Sequence, residues 1–176
     1  MSAGKFILVS GSSGSGKSFY AENLLNADSR KIYIATAKIY DDEMRERVAR
    51  HKLMRADKNF ITIEKSHNLT EIAETCRDSS VLIESLTTWT ANEIFCGDVI
   101  KDSASVINKI FRGFMSIKAI CNKIILVSDN IFCDGITYND LTERYIKTLA
   151  ELLKIFAREA DDVIEIFSGL SLHYKN

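Results

Sequence analysis

The stretch "KFILVSGSSGSGKS", residues Lys5–Ser18, decides the fold class of this chain. Its first six residues form a short apolar run that predicts a buried strand, and a helix is predicted from Lys17 to about Asn26. Between them, "GSSGSGKS" (Gly11–Ser18) matches the pattern G-x-x-x-x-G-K-[ST] at every specified position. A glycine-rich segment that follows a strand and opens a helix is the context in which this pattern forms a phosphate-binding loop.

The residue types of this loop indicate its chemistry. Glycines permit backbone conformations that direct several N–H groups at one anion, and the helix N-terminus adds to the same electropositive cradle. Lys17 is expected to reach the β- and γ-phosphates, and Ser18 to ligate Mg²⁺. The sequence therefore predicts that a nucleoside triphosphate is bound by Gly11, Ser12, Ser13, Gly14, Ser15, Gly16, Lys17 and Ser18.

Downstream of the loop, short apolar runs alternate with longer amphipathic stretches. Further strands are predicted at Lys31–Thr36, Phe60–Glu64, Ser80–Ser85 and Lys123–Asp129. Helices are predicted at about Tyr40–Met54, Leu69–Arg77, Thr87–Phe95, Ala104–Cys121 and Tyr138–Glu159. Apolar strands separated by helices indicate a mainly parallel sheet covered on both faces. The final runs "DVIEIF" and "LSLHY", joined by Ser168–Gly169, predict a hairpin that adds an antiparallel edge strand.

Length and composition favour one α/β domain over residues 1–176, with ordinary globular content of 46% hydrophobic and 27% charged residues. The formal net charge of −1 argues against a nucleic-acid partner. No apolar run approaches the roughly 18 residues that span a bilayer, and an apolar strand at Lys5–Phe6 leaves no room for a signal peptide. The four cysteines show no C-x-x-C pair, so we expect buried, reduced thiols in a cytoplasmic protein.

A phosphate-binding loop of this kind usually works with an acidic residue at the carboxyl end of a neighbouring strand, which orients the hydrated metal. Two acids satisfy this position, Glu84 after "VLI" and Asp129 after "ILVS". Glu84 is preferred, since it follows the more compact apolar run and leads directly into "SLTTWTAN". The alternative for either acid is a solvated residue at the end of a strand.

His51 ends the charged stretch "DDEMRERVARHK" (Asp41–Lys52) and is one of three histidines in the chain. On a helix, Met44, Val48 and His51 share one face. From the residues alone, a histidine near a helix C-terminus is most often a surface group that compensates the helix dipole. The alternative is a neutral imidazole that attacks a phosphorus atom, with Arg50, Lys52 and Arg55 stabilising the transferring group.

The stretches "GSSGSGKS", "YIAT", "DDEMRERVARHK" and "IESLTTWTAN", in this order and spacing, resemble the bifunctional adenosylcobinamide kinase/adenosylcobinamide-phosphate guanylyltransferase family. The resemblance covers nearly the whole chain and is strongest from Phe6 to Asn92. It implies a RecA-like P-loop domain that assembles as a homotrimer. It also implies phosphorylation of the corrinoid adenosylcobinamide by ATP or GTP, then transfer of GMP from GTP through a histidine to the new phosphate, which gives adenosylcobinamide-GDP.

The same resemblance implies roles for individual residues. The family's guanylylated histidine, in the pattern D-x-E-M-x-x-R-[IV]-x-x-H-[RK], corresponds to His51, whereas His67 and His173 match nothing in the family. The nucleotide would also contact Ala35, Thr36, Ala37, Lys52, Leu53, Met54, Arg55, Glu64 and Glu84. A carboxylate can accept from guanine N1–H and N2–H₂ together, so either Glu64 or Glu84 would select the base, and Glu84 is open to two roles, selecting guanine or orienting Mg²⁺.

The chain departs from the family between residues 129 and 153. Where the family carries S/T-N-E-V-G-x-G-I-V-P, this chain reads "SDNIFCDGITY", and the following helix keeps little of the family's polarity. These segments would flank the corrinoid, so guanylyl transfer centred on His51 is better supported than the kinase step. Two alternatives are another small-molecule P-loop kinase without a covalent intermediate, and a regulatory subunit whose partner binding depends on nucleotide.

Overall fold

The structure is a computed structural model that describes residues 4–38, 42, 45–46, 48–49, 53, 56–96, 100–132 and 138–175. Its strands are β1 (Lys5–Gly11), β2 (Lys31–Ala35), β3 (Phe60–Glu64), β4 (Ser80–Glu84), β5 (Lys123–Asp129), β6 (Asp162–Phe167) and β7 (Leu170–Lys175). Its α-helices are α1 (Lys17–Asn23), α2 (Leu86–Ile94), α3 (Ser103–Lys118) and α4 (Asp140–Glu159). Two 3₁₀ helices cover Ala56–Lys58 and Leu69–Cys76.

All seven strands form one sheet in the order β3-β2-β4-β5-β1-β6-β7. The pairs from β3 through to β6 are parallel, and β7 pairs antiparallel with β6. The turn Ser168–Gly169 joins this last pair, with both residues at positive φ. The expected mainly parallel sheet with an antiparallel C-terminal edge strand is confirmed.

Side chains of the central strands alternate between two apolar layers. In β1, Phe6 and Leu8 join a cluster with α2, α3 and α4, while Ile7 and Val9 join a smaller cluster with α1. On the larger side the ring of Phe114 lies 4.5 Å from that of Phe6 and 4.7 Å from that of Phe156, centroid to centroid. The central strands are therefore buried on both faces, as continuous apolar runs predict.

Several elements differ from the sequence-based expectations. The segment Leu69–Cys76 is a 3₁₀ helix, and α1 ends at Asn23 instead of Asn26. The edge strands are not covered, because Ile61 of β3 is 51% exposed and every residue of β7 is exposed. Within the expected helix Tyr40–Met54, the described residues Asp42, Arg45, Glu46, Val48, Ala49 and Leu53 are helical.

The parallel strands bring their carboxyl ends to one edge of the sheet, where the expected site residues lie. Gly11 is in register with Asp129, and Ala35 is in register with both Glu64 and Glu84 on its two neighbouring strands. The phosphate loop, "YIAT" and both candidate acids are therefore assembled at this edge. No helix in the described ranges is long and apolar enough to cross a membrane.

Candidate nucleotide-binding site

The loop after β1 has the close-packed backbone that its glycines predict. A Cβ on Gly11 would lie 2.6 Å from the carbonyl oxygen of Ile166 and from the hydroxyl of Ser15, so only glycine fits there. Gly16 has φ +92°, a left-handed conformation from which α1 begins. The turn of the C-terminal hairpin supports the loop, since the amide of Gly169 donates to the carbonyl of Ser15 at 2.9 Å.

Lys17 is buried and its ammonium group lies under the loop. Nζ donates to the carbonyl oxygen of Ser12 at 3.1 Å and is 2.6 Å from Oδ1 of Asp129. Asp129 is the last residue of β5, so the pair depends on β5 lying beside β1. A bound triphosphate would compete with this carboxylate for the lysine.

Ser18, the residue after Lys17, contacts Glu84 at the end of β4. The hydroxyl of Ser18 donates to Oε1 of Glu84 at 2.5 Å, and the hydroxyl of Tyr33 donates to Oε2 of the same carboxylate at 2.7 Å. Glu84 is thus held by β2 and directed at the first turn of α1. A serine hydroxyl beside a carboxylate is an all-oxygen donor set, which is the kind that Mg²⁺ prefers.

The wider arrangement also suits a nucleotide-bound Mg²⁺. The described residues contain no group of three or more His, Cys, Asp or Glu side chains that could hold a metal by themselves. Magnesium in nucleotide sites typically uses one or two protein ligands, with phosphate and water completing its shell. Ser18 and Glu84 therefore fit the ion in its nucleotide complex, where it would neutralise phosphate charge.

The backbone around Glu84 is tied to the "YIAT" segment. The amide of Thr36 donates to the carbonyl of Glu84 at 2.9 Å, and the hydroxyl of Thr36 accepts from the amide of Ser85 at 2.8 Å. Asn92 on α2 donates to the carbonyls of Thr36 at 2.7 Å and Ser66 at 3.1 Å. Ala35 and Thr36 are therefore held next to Glu84, and the Thr36 side chain itself is buried. The expected contact of Ala37, the next residue along the chain, stays a prediction.

The expected guanine-contacting residues are only partly brought into this arrangement. Glu64 ends β3, on the opposite side of Ala35 from Glu84, and its side chain is exposed. Leu53 is helical and 76% exposed. His51, Lys52, Met54 and Arg55 lie outside the described residues. Their assignments therefore stay predictions.

A cavity of about 680 Å³ opens next to the phosphate loop, between the ends of β5 and β6 and the first half of α4. Ser12 is part of its wall, together with Tyr145 and Glu165. The hydroxyl of Tyr145 donates to the carbonyl of Thr87 at 3.3 Å. Burial, and to a lesser degree the charge of Asp129, raises the pKa of Tyr145, so its hydroxyl stays neutral.

Sequence reasoning missed Tyr33, Glu165 and the role of Asp129 as the partner of Lys17. Tyr33 lies two positions before Ala35 in β2, and Ala35 is the register partner of Glu84. Alternation along β2 places Tyr33 and Ala35 on one face, so the strand order would have revealed the contact. The cavity could not have been found in this way, because it depends on how α4 packs against the sheet.

Comparison with solved structures identifies the fold. The chain is similar to a prototypical ATPase of the type III secretion system of pathogenic bacteria, with a TM-score of 0.56 and 15% identity over 97% of this chain. It is also similar to the ATPase EscN of enteropathogenic E. coli, with a TM-score of 0.55 and 15% identity over 94% of this chain. This chain spans 57% and 42% of those two chains. The likeness concerns the fold alone and confirms the expected RecA-like P-loop architecture.

Comparison with curated proteins and family models identifies relatives over the whole length. The bifunctional adenosylcobalamin biosynthesis protein CobU of Escherichia coli is 29% identical over 180 residues, which covers 96% of this chain and 99% of that protein. CobP of Pseudomonas aeruginosa, described in the same words, is 28% identical over 174 residues and 96% of each chain. The model of the family "Cobinamide kinase / cobinamide phosphate guanyltransferase" matches residues 7–174. The chain belongs to this family of bifunctional transferases and is an enzyme.

Proposed function

We propose that this enzyme phosphorylates adenosylcobinamide, using ATP or GTP, and then transfers GMP from GTP to the new phosphate to give adenosylcobinamide-GDP. The observation that carries the proposal is the family match over residues 7–174. The described geometry supports the nucleotide half of it, because Lys17, Ser18 and Glu84 lie together at the phosphate loop.

In the kinase step, the chain's own groups bind and position the triphosphate. Backbone N–H groups of Gly11–Ser18 cradle the phosphates, and Lys17 exchanges Asp129 for the β- and γ-phosphate oxygens. Ser18 and Glu84 hold the side of the site where Mg²⁺ would offset phosphate charge. The acceptor oxygen then bonds to the γ-phosphorus as the bond to the nucleoside diphosphate breaks.

In the guanylyl step, we assign the covalent nucleophile to His51. An unprotonated ring nitrogen bonds to the α-phosphorus of GTP, and pyrophosphate leaves. The phosphate of the acceptor then displaces the histidine and carries GMP away, so the imidazole returns to its starting state. The support for this residue is the family pattern at Asp41–Lys52.

The remaining parts of the proposal concern the state of the protein. We propose that residues 1–176 form a single domain that works as a homotrimer in the cytoplasm, with Mg²⁺ as cofactor and with ATP, GTP and a corrinoid as its substrates. Nucleic acid and membrane have no part in the proposed reaction. The assembly is implied by the family resemblance stated above.

The direct test is to follow cobinamide through both steps by liquid chromatography and mass spectrometry. Incubation with ATP and Mg²⁺ should yield cobinamide phosphate, and subsequent addition of GTP should yield cobinamide-GDP and pyrophosphate. Phosphate transfer without the second product would favour a simple kinase. Absence of both products, together with a partner protein captured only in the presence of nucleotide, would favour a regulatory subunit.

A further inference from the structure

The cavity beside the phosphate loop has the size of a small-molecule site. Its volume of about 680 Å³ lies in the middle of the roughly 300–1,000 Å³ range of ligand pockets. The walls come from the loop residue Ser12, from Asn130 and Ile131 directly after β5, and from β6 and α4, and Glu84 at the end of β4 is not part of them. Nothing in the arrangement of Ser18, Glu84 and Tyr33 uses this space.

One hydrogen bond indicates which phosphate of a bound triphosphate would lie next to the cavity. Nζ of Lys17 donates to the carbonyl of Ser12 at 3.1 Å, and the lysine of such loops serves the β- and γ-phosphates. Ser12 therefore marks the end of the loop that holds the transferable phosphoryl group. Asn130 is also part of the wall. It is held beside the phosphate loop because its backbone amide donates to the carbonyl of Gly11 at 2.9 Å.

The chemistry of the wall selects against anionic ligands. Ile131, Tyr145 and Ile146 supply apolar surface, and no described lining residue is a lysine or arginine. The charged residue in the wall is Glu165, whose carboxylate accepts from the side-chain amide of Asn130 at 3.3 Å and from the hydroxyl of Tyr174 at 2.7 Å. Such a wall suits a neutral molecule that carries hydroxyl or amide groups on an apolar frame.

We propose that this cavity binds the hydroxyl-bearing arm of the acceptor, a neutral alcohol accompanied by amide groups, and presents its oxygen to the γ-phosphate above Ser12. This inference rests on the proposed kinase function and adds the acceptor site to it. During transfer the acceptor oxygen bonds to the γ-phosphorus, the bond from that phosphorus to the β–γ bridging oxygen breaks, and the hydroxyl proton is lost to water. The cavity holds one arm, and the bulk of a corrinoid stays outside it.

A larger side chain at Thr142 would fill the cavity without altering the phosphate loop. Thr142 lies in the first turn of α4, and its backbone amide, which any residue retains, donates to the Asn139 cap at 2.9 Å. Thr142→Trp should raise the KM for cobinamide at least tenfold and weaken cobinamide binding in equilibrium dialysis to the same extent. The affinity for GTP should be unchanged. Thr142→Leu, a smaller change, should raise the KM about threefold.

The matched control is Leu141→Trp, which adds the same ring one residue earlier, where the side chain is 42% exposed and outside the cavity wall. It should bind and phosphorylate cobinamide like the wild type. Unchanged cobinamide binding and KM in both Thr142 variants would overturn the cavity assignment while the proposed function stands. Equal loss of GTP and cobinamide affinity would also overturn it. A wild-type protein that neither binds nor phosphorylates cobinamide would overturn the proposed function and this inference with it.

Discussion

The hydroxyl of Ser18 donates to Oε1 of Glu84 at 2.5 Å, which joins the end of β4 to the first turn of α1. Since the second carboxylate oxygen accepts from Tyr33 at 2.7 Å, both oxygens of Glu84 are engaged within the site. A carboxylate that reads guanine needs both oxygens for N1–H and N2–H₂. This relationship therefore favours orientation of Mg²⁺ over selection of the base.

Glu84→Gln tests that choice. If Glu84 orients the metal, we expect a 10- to 100-fold loss of apparent Mg²⁺ affinity, typical of removing a supporting partner of a metal ligand. ATP and GTP should be affected equally, and added Mg²⁺ should partly restore turnover. Competition binding of the two nucleotides at two Mg²⁺ concentrations measures this. Glu151→Gln, at an exposed glutamate of α4 that pairs with Lys154, is the matched control. A loss confined to GTP would instead assign Glu84 to guanine.

Tyr33→Phe removes the hydrogen bond that holds the second oxygen of Glu84. We expect a stability loss of about 1 kcal/mol, as for one hydrogen bond, and a several-fold increase in the Mg²⁺ concentration that half-saturates turnover. A merely structural role would lower stability without moving the Mg²⁺ dependence. Tyr20→Phe, which alters a tyrosine packed against the same apolar layer, is the control. Urea unfolding and Mg²⁺ titration provide the two measurements.

Lys17→Ala should abolish tight triphosphate binding and phosphoryl transfer, because the loop loses the cation that serves the β- and γ-phosphates. The substitution also leaves Asp129 at the loop without its partner, and this carboxylate then repels the phosphates. Isothermal titration with GTP measures the loss. Lys154→Ala on α4, whose side chain pairs with Glu151 at the surface, should behave like the wild type. Unchanged GTP affinity in Lys17→Ala would remove the basis of the site assignment.

The parts of the fold that were predictable from the sequence are those determined by local pattern. The bounds of β3 and β5 match the apolar runs Phe60–Glu64 and Lys123–Asp129, and the phosphate loop follows from eight consecutive residues. Lateral strand order has no such local signal. The contact of Tyr33 with Glu84 requires β2 beside β4, and that of Lys17 with Asp129 requires β5 beside β1.

The type of helix and the exposure of the edge strands could not be predicted from the sequence pattern either. Leu69–Cys76 has apolar residues that are compatible with either helix type, and three of them, Leu69, Ala73 and Cys76, join the larger apolar cluster. β3 reads as apolar as the central strands, but its position at the edge leaves Ile61 exposed. The cavity wall combines the two residues after β5 with residues of β6 and α4, so it depends on tertiary packing.

Cys76 and Cys121 are buried, and their thiols predict a loss of stability at alkaline pH. Burial raises the pKa of Cys76 from 9.0 to about 11 and that of Cys121 to about 12. In the unfolded chain these thiols ionise near pH 9, whereas in the folded protein they stay protonated. The contribution of these protonated thiols to the free energy of unfolding is therefore complete below pH 9. It is lost as pH rises, by on the order of 1 kcal/mol per thiol at pH 10.

Urea unfolding under reducing conditions at pH 8 and pH 10 measures this effect. Cys76→Ala should lower stability at pH 8, because it leaves a small cavity, yet its stability should fall less between the two pH values than that of the wild type. The half-exposed Cys96, changed to alanine, is the control and should keep the wild-type dependence. An identical pH dependence in Cys76→Ala and wild type would contradict the prediction.

The assignment of His51 as nucleophile predicts a covalent adduct and a separation of the two activities. Wild-type protein incubated with α-labelled GTP and Mg²⁺ should retain label that is lost in acid and stable in alkali, as expected of a phosphorus–nitrogen bond. Labelling should rise with pH through the imidazole range, about 6.5 for an unperturbed histidine, because the neutral ring attacks.

His51→Asn should lose labelling and GMP transfer but keep cobinamide phosphorylation, which needs the loop and no covalent intermediate. His67→Asn and His173→Asn, the other two histidines, should label normally. Retained labelling in His51→Asn would refute the assignment, and labelling lost only in His67→Asn would transfer the role to that residue.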